Sequence, residues 1–250
     1  MGVNITVVVL VAGKGTRMGS LEGSEIPKVM FEVHGKPLIR YSVDNLEQAG
    51  LDKIVLVVGY KKELIEEYFG DEVEYAVQEQ QLGTGHAVIS AKDKIRNSEA
   101  VLVCCGDMPL FSPETIKALL ATYDNEQPVI ALLSVKSDNQ TFNGFGRIVR
   151  SDDGYVDRIV ELRDCTDDER MIDEFNVGFY IFNTEWLLEA LDKIKTGNAQ
   201  GEYYLTDVIG IAKEDGKKIV AINIENETEA LGVNTPEQLK EVENVLSSVD

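Results

Sequence analysis

Residues 5–28 read ITVVVLVAGKGTRMGSLEGSEIPK, and this stretch decides the fold. Residues 5–12 are almost wholly apolar and too few to span a bilayer, which is typical of a buried parallel strand. Gly13 and Gly15 then free the backbone to approach a ligand and to direct several N–H groups at one point. Three cations flank this turn, namely Lys14, Arg17 and Lys28. The stretch therefore predicts a triphosphate-binding loop at the carboxyl end of a buried strand.

Two common phosphate-binding patterns do not fit this loop. A P-loop requires Gly-x-x-x-x-Gly-Lys-Ser/Thr, whereas Lys14 precedes Gly15 here and no such octamer occurs. A dinucleotide fingerprint requires Gly-x-Gly-x-x-Gly, and Met18 stands where its third glycine belongs. The mismatch with the dinucleotide fingerprint excludes a nicotinamide dehydrogenase.

Composition and charge narrow the class of ligand. The chain has 250 residues, 44% of them hydrophobic and 27% charged, which is typical of a soluble globular protein. Its formal net charge of −20 argues against nucleic acid and anionic membranes as partners. Residues 1–40 nevertheless carry five cations and three acids. A positive pocket in a negative shell suits a small anionic ligand that arrives with a divalent cation.

The amino terminus and the cysteines indicate a cytoplasmic protein. No basic region precedes the first apolar run, so we expect no signal peptide. Three cysteines, two of them adjacent, fit neither a disulfide framework nor a zinc spacing.

Apolar runs alternate with amphipathic segments along the first half of the chain. The pattern predicts strands at 54–58, 73–77 and 101–105, and helices at 35–49, 62–69 and 87–95. The second half predicts strands at 129–135, 175–180 and 219–224, a hairpin over 143–161, and a terminal helix that ends near residue 247. This alternation is typical of an α/β fold whose sheet carries helices on both faces.

Several motifs resemble those of one enzyme family. The first loop matches L-x-A-G-x-G-T-R-M followed by P-K, the signature of sugar-nucleotide pyrophosphorylases. Residues 78–87 (QEQQLGTGHA) and 202–207 (EYYLTD) resemble segments of members that use UTP and N-acetylglucosamine 1-phosphate. From residue 10 to residue 234 the motifs keep the family's order. The chain is therefore similar to the uridylyltransferase domain of bacterial N-acetylglucosamine-1-phosphate uridylyltransferases.

This resemblance implies a fold and a reaction. The fold would be a three-layer Rossmann-like nucleotidyltransferase fold, similar to glycosyltransferase A, with a mixed, mostly parallel sheet. One domain would span residues 1–250, with a nucleotide-binding part to about residue 125, a sugar-binding part to about 235 and a terminal helix at about 235–247. The reaction would join UTP and N-acetylglucosamine 1-phosphate into UDP-N-acetylglucosamine and pyrophosphate, with Mg²⁺ as the cofactor.

The matching motifs also imply residue roles. Phosphate charge would be neutralised during catalysis by Arg17 and Lys28. The nucleotide would be bound by Leu10, Ala12, Gly13, Lys14, Gly15, Gln78, Gly83 and Thr84. The sugar would be bound by Gly146, Glu161, Asn176, Tyr204 and Thr206. Magnesium would be held by Asp107 and Asn234. Without the resemblance, Asp107 could equally cap the helix that begins near Pro113, and His86 is interpreted as a structural histidine.

The chain also departs from the family pattern. The loop between Arg17 and Lys28 is longer and carries Glu22 and Glu25, and Cys104 and Cys105 replace the usual aliphatic–tyrosine pair. No hexapeptide repeats of a β-helix follow, so we expect neither acetyltransferase activity nor the trimer that the β-helix forms.

Two other functions remain open. One is another sugar-1-phosphate nucleotidyltransferase, which would use dTTP or CTP with a different sugar. The other is a non-catalytic sugar-nucleotide sensor, whose usual mark would be the loss of charges at the phosphate and metal positions. Those positions are intact here, at Arg17, Lys28, Asp107 and Asn234.

Overall fold

A computed structural model describes residues 3–15 and 26–247 of the chain. Its strands are β1 (Ile5–Leu10), β2 (Glu32–Val33), β3 (Lys36–Pro37), β4 (Ile54–Val58), β5 (Glu74–Val77), β6 (Ala100–Cys105), β7 (Ile130–Lys136), β8 (Gly146–Arg150), β9 (Val156–Val160), β10 (Glu174–Asn183) and β11 (Ile219–Asn223). Its α-helices are α1 (Leu38–Gln48), α2 (Lys62–Phe69), α3 (Thr84–Ser90), α4 (Lys92–Ile95), α5 (Pro113–Glu126), α6 (Asp167–Arg170), α7 (Thr184–Leu191), α8 (Asp207–Glu214) and α9 (Pro236–Ser247). Short 3₁₀ helices lie at Lys28–Met30, Gln140–Gly144 and Glu227–Ala230.

The central sheet is mixed and mostly parallel along its main path. Its strand order is β11-β7-β10-β6-β1-β4-β5, and β1, β4, β5 and β6 pair in parallel. Strand β10 runs antiparallel between β6 and β7, and its first part also pairs with β8 of the β8–β9 hairpin. Because β10 contacts three strands, it joins the parallel half of the sheet to the hairpin.

The sheet separates two apolar cores. Val7 and Val9 of β1 face one core and Val8 faces the other, as the two-residue period of a strand requires. Buried side chains of α1, α2, α5 and α9 complete the first core, and those of α3, α4, α7 and α8 complete the second. The prediction of helices on both faces of the sheet is therefore confirmed.

The predicted bounds are confirmed at some elements and wrong at others. The strand at 54–58 and the helix at 62–69 agree with β4 and α2. The helix predicted to begin at residue 87 begins at Thr84 instead, because Gly83, with φ of 112°, leaves helical geometry just before it. Helix α7 was not predicted, although the Asn183 side chain caps it by accepting a hydrogen bond from Trp186 N.

A close backbone approach near the end of β6 yields a test of the packing. A methyl group on Gly106 would lie 2.4 Å from Val11 Cγ1, so Val11 would have to shift. We expect Gly106→Ala to lower the free energy of unfolding by about 1–3 kcal/mol, measured by urea denaturation. Gly210→Ala in α8 is the control: no atom lies within 4 Å of the new methyl group, and helix propensity should stabilise the variant slightly. If Gly106→Ala and Gly210→Ala change the free energy of unfolding equally, the close contact between Gly106 and Val11 is contradicted.

Candidate active site

Three residues that are far apart in sequence meet at the carboxyl end of the parallel strands. Asp107 follows β6, Lys28 opens the 3₁₀ helix that follows the first loop, and Asn234 precedes α9. Lys28 Nζ forms an ion pair with the Asp107 carboxylate and lies 2.9 Å from Asn234 Oδ1. The side chains of Lys28 and Asp107 are 14% and 20% exposed. We call these three residues the lysine cluster.

Backbone contacts hold the lysine cluster in place. Val233 N donates to Asp107 O at 2.9 Å, which ties the segment before α9 to the end of β6. Gln238 Oε1 accepts from Asn234 N at 2.8 Å and from Thr235 N at 3.2 Å, while Thr235 Oγ1 accepts from Gln238 N at 3.3 Å. This reciprocal cap at the start of α9 fixes the backbone that carries Asn234.

Gly15 of the first loop packs directly on Lys28. Gly15 adopts φ of 65°, and a methyl group on it would lie 2.8 Å from Lys28 Cβ. Glycine at this position therefore allows both the left-handed backbone and the close approach of the lysine. Gly13 and Lys14 are exposed, and Ala12 is buried. Arg17 lies outside the described residues.

Asp107 and Asn234 also line a cavity of about 350 Å³. Of the residues predicted to form the site, those on the cavity wall are Leu10, Thr84, Asp107, Gly146, Glu161, Asn176, Thr206 and Asn234. These residues come from both halves of the chain. The structure thus brings members of the predicted nucleotide, metal and sugar sets to one cavity.

Two polar side chains on the wall are already oriented by neighbours. Glu161 Oε1 accepts from Thr206 Oγ1 at 3.1 Å. Burial raises the pKa of Glu161, and nearby Asp164 and Asp207 raise it further, although the hydrogen bond from Thr206 acts in the opposite direction. Asn176 Oδ1 accepts two hydrogen bonds from its own strand, so this amide is also fixed.

The segment predicted to bind the base is held internally. Gln78 is buried, and its Nε2 lies 3.1 Å from both Gly83 O and His86 Nδ1. Its amide nitrogen is therefore engaged within the protein, which leaves Oε1 as the group able to meet a ligand. His86 contacts this amide, in keeping with its structural interpretation.

The predicted base-binding and sugar-binding segments pair with each other. Tyr203 N donates to Leu82 O at 2.8 Å, and Gly85 N donates to Tyr203 O at 2.8 Å. Leu205 N donates to Thr84 Oγ1 at 3.0 Å. A methyl group on Gly83 would lie 2.5 Å from Tyr203 O, so the glycine is required for this approach.

Not every predicted residue reaches the cavity wall. Those that lie outside it are Ala12, Gly13, Lys14, Gly15, Lys28, Gln78, Gly83 and Tyr204. Tyr204 is buried, and its hydroxyl accepts from Gln200 Nε2 at 2.7 Å. Conversely, Cys105, Gly178 and Tyr180 line the cavity and were not predicted. The signal for the last two was present, because residues at i, i+2 and i+4 of a strand share one face with Asn176.

Asp207 at the start of α8 yields a test of the electrostatics around this wall. Burial, followed by the charge of Asp164, raises the pKa of Asp207 to about 6. Because this value lies above the pKa of about 3.9 expected in the unfolded chain, ionised Asp207 destabilises the fold progressively as the pH rises between the two. The melting temperature of Asp207→Asn, relative to the wild type, should therefore be higher at about pH 8 than at about pH 4. If the difference in melting temperature between Asp207→Asn and the wild type does not change with pH, the raised pKa of Asp207 is refuted.

Within the described ranges, no helix is long and apolar enough to cross a bilayer.

Comparison with known proteins agrees with the motifs. Residues 7–174 match the MobA-like NTP transferase domain family. The bifunctional protein GlmU of an Exiguobacterium species is 44% identical over 240 residues, which cover 96% of this chain and 52% of that protein. GlmU of Geobacillus thermodenitrificans is 42% identical over 240 residues, which cover 96% of this chain and 51% of that protein. The chain thus spans about half the length of these relatives.

A solved structure confirms the fold class. A crystal structure of UDP-glucose pyrophosphorylase complexed with UDP-glucose superimposes with a TM-score of 0.81 at 21% identity, and the match covers 99% of this chain and 100% of that one. At this identity the likeness concerns the fold alone. The predicted three-layer nucleotidyltransferase fold is confirmed, and the GlmU relatives and the family match confirm the resemblance on which it was based.

Proposed function

The chain belongs to the MobA-like NTP transferase family, and we propose that it transfers UMP from UTP to N-acetylglucosamine 1-phosphate. A phosphate oxygen of the sugar phosphate attacks the α-phosphorus of UTP in line. A new P–O bond forms, the bond between the α-phosphorus and its bridging oxygen breaks, and pyrophosphate leaves with that electron pair. The reaction needs no protein nucleophile, so the protein acts by positioning the substrates and neutralising charge.

The lysine cluster is the observation that carries this proposal. Three segments separated by most of the chain converge to place one ammonium group beside a carboxylate and an amide oxygen. The cavity that Asp107 and Asn234 line has no lysine or arginine among its described lining residues. Lys28 contacts both Asp107 and Asn234 at the edge of this cavity, and we infer that it turns from Asp107 towards the reacting phosphates.

The two oxygen-bearing residues of the lysine cluster fit a magnesium ion. A carboxylate and an amide oxygen are hard ligands, and here both already converge on one cationic nitrogen. Within the described residues, no group of three or more histidine, cysteine or acidic side chains could hold a metal. Two protein ligands leave the other positions to water and phosphate oxygens, as magnesium prefers. Held by Asp107 and Asn234, magnesium would supply positive charge to phosphate oxygens.

Gln78, which lies outside the cavity wall, and the wall residues Glu161 and Asn176 support a uridine nucleotide and a neutral sugar. Gln78 Oε1 can accept from the N3–H of uracil, because the amide nitrogen is directed to Gly83 and His86. Glu161 and Asn176 offer an acceptor and a donor to the ring of an uncharged sugar. The GlmU relatives, which are named as bifunctional proteins, favour the same assignment for the half that this chain covers.

Pyrophosphate release tests the proposal. We expect release with magnesium, UTP and N-acetylglucosamine 1-phosphate, little with glucose 1-phosphate or dTTP, and none after chelation with EDTA. Asp107→Asn should slow the reaction by about 10²-fold or more, because it removes a charged ligand. Asp44→Asn is the matched control, since Asp44 forms ion pairs with Lys36 and Arg40 outside the cavity. Release with the control substrates only would overturn the base or sugar assignment and leave the class of reaction intact.

The role of Lys28 has its own prediction. Lys28→Met keeps an unbranched side chain one atom shorter and removes its charge, so kcat should fall by about 10²–10³-fold, equivalent to about 3 kcal/mol of transition-state stabilisation. Lys36→Met is the control, because Lys36 also pairs with a partly buried aspartate but lies outside the cavity. If both variants keep wild-type kcat in steady-state assays, the lysine cluster has no part in the chemistry.

A further inference from the structure

Three residues of β10 that line the cavity form a self-contained unit. Asn176, Gly178 and Tyr180 alternate along the strand and all reach the wall. Between Asn176 and Tyr180 the pairing with β7 shifts register, and Gly178 adopts φ of 68° there. This irregularity turns the Gly178 N–H towards the Asn176 side chain, at 3.3 Å from Oδ1. The bulge therefore supplies a hydrogen bond that a regular strand would not.

The direction of that hydrogen bond determines which way the amide faces. A backbone N–H can only donate, so the atom of Asn176 beside Gly178 N must be the oxygen. The Tyr180 hydroxyl lies 2.9 Å from the same oxygen, and it must donate because Oδ1 can only accept. Both hydrogen bonds require the same orientation of the carboxamide. Among the described residues, Nδ2 of Asn176 makes no hydrogen bond.

Tyr180 is suited to this task because its hydroxyl stays protonated. The side chain is 4% exposed and packs at 5.5 Å from the Phe182 ring. Burial raises the pKa of Tyr180 far above its ordinary value, and the negative charge of Glu161 raises it further, whereas the hydrogen bond to Asn176 acts in the opposite direction. The phenol therefore keeps its proton, and can donate it in a hydrogen bond, at neutral pH.

We propose that Tyr180 is a positioning residue that holds the Asn176 amide with Nδ2 towards the cavity, and so sets which sugar phosphates bind. The inference rests on the function proposed above. With Tyr180 in place, the wall offers N–H donors at Asn176 and a carboxylate acceptor at Glu161. A sugar ring that directs an acceptor oxygen to the amide and a hydroxyl or N–H donor to the carboxylate satisfies both. If the amide flipped, it would present a second acceptor, and this match would be lost.

Tyr180→Phe tests the proposal, because it removes only the hydroxyl. We expect the KM for N-acetylglucosamine 1-phosphate to rise by about tenfold, as expected for the loss of one properly directed hydrogen bond, while kcat and the KM for UTP change by less than about twofold. Tyr123→Phe is the matched control: Tyr123 is also a buried tyrosine, it lies on α5 away from this cavity, and its substitution should leave all three constants unchanged.

A double-mutant cycle separates positioning from general damage to the fold. Asn176→Asp keeps the shape but presents oxygen whichever way it turns, so adding Tyr180→Phe to it should raise the KM by less than about twofold more. A similar tenfold increase in both backgrounds would mean that Tyr180 acts independently of Asn176, and would overturn the proposal. So would an unchanged KM in Tyr180→Phe.

A stability cycle addresses the positioning claim without turnover. Tyr180→Phe should lower the melting temperature in the wild-type background, and should lower it much less in an Asn176→Ala background. If the wild type turns over no sugar phosphate but this coupling is found, the proposed function fails and the orientation of the amide stands. If the coupling is absent, the hydrogen bond does not hold the amide, and the inference fails regardless of activity.

Discussion

The arrangement of the site depends on one ion pair, between Lys28 and Asp107. A fully exposed pair of this kind contributes little, whereas removing one partner of a mostly buried pair leaves a charge with poor solvation. With side-chain exposures of 14% and 20%, both groups need a partner, so the first loop, the end of β6 and the start of α9 are drawn together. Because each group needs a charged partner, either one could exchange the other for a charged ligand. In the proposed function, phosphates would offer Lys28 an alternative partner, and a divalent cation would offer one to Asp107.

Strand β10 supplies the second constraint. Because it runs antiparallel between β6 and β7 and also pairs with β8, it brings Gly146 and Asn176 into register at the cavity wall. The bulge at Gly178 lets one strand meet these pairing requirements and still turn polar groups towards the cavity. Contacts between residues 82–85 and 203–205 join the remaining two segments, so four distant parts of the chain form one wall.

How much the sequence predicts depends on whether a feature is local. The bounds of β4 and α2 follow from apolar runs and their spacing, and contiguous motifs predict Asp107, Asn176 and Asn234, which all lie on the cavity wall. The hydrogen bond between Tyr180 and Asn176 could not be predicted in this way, since it forms across a shift in the pairing of β10 with β7. Helix α7 was not predicted because it begins at Thr184, directly after the end of the long strand β10, so no loop separates the two elements in the sequence. Its Asn183 cap is nevertheless visible in the sequence.

The charges around the cavity explain how an anionic substrate could be accepted by a chain with a net charge of −20. Apart from Asp107, the described carboxylate on the wall is Glu161, whose pKa is raised by burial, so its negative charge costs more there than in water. Lys28 places a positive charge directly beside Asp107. A ligand that is neutral at one end and anionic at the other therefore has one favourable orientation. Its phosphate would lie beside the lysine, and its uncharged ring would lie beside the carboxylate and the Asn176 amide.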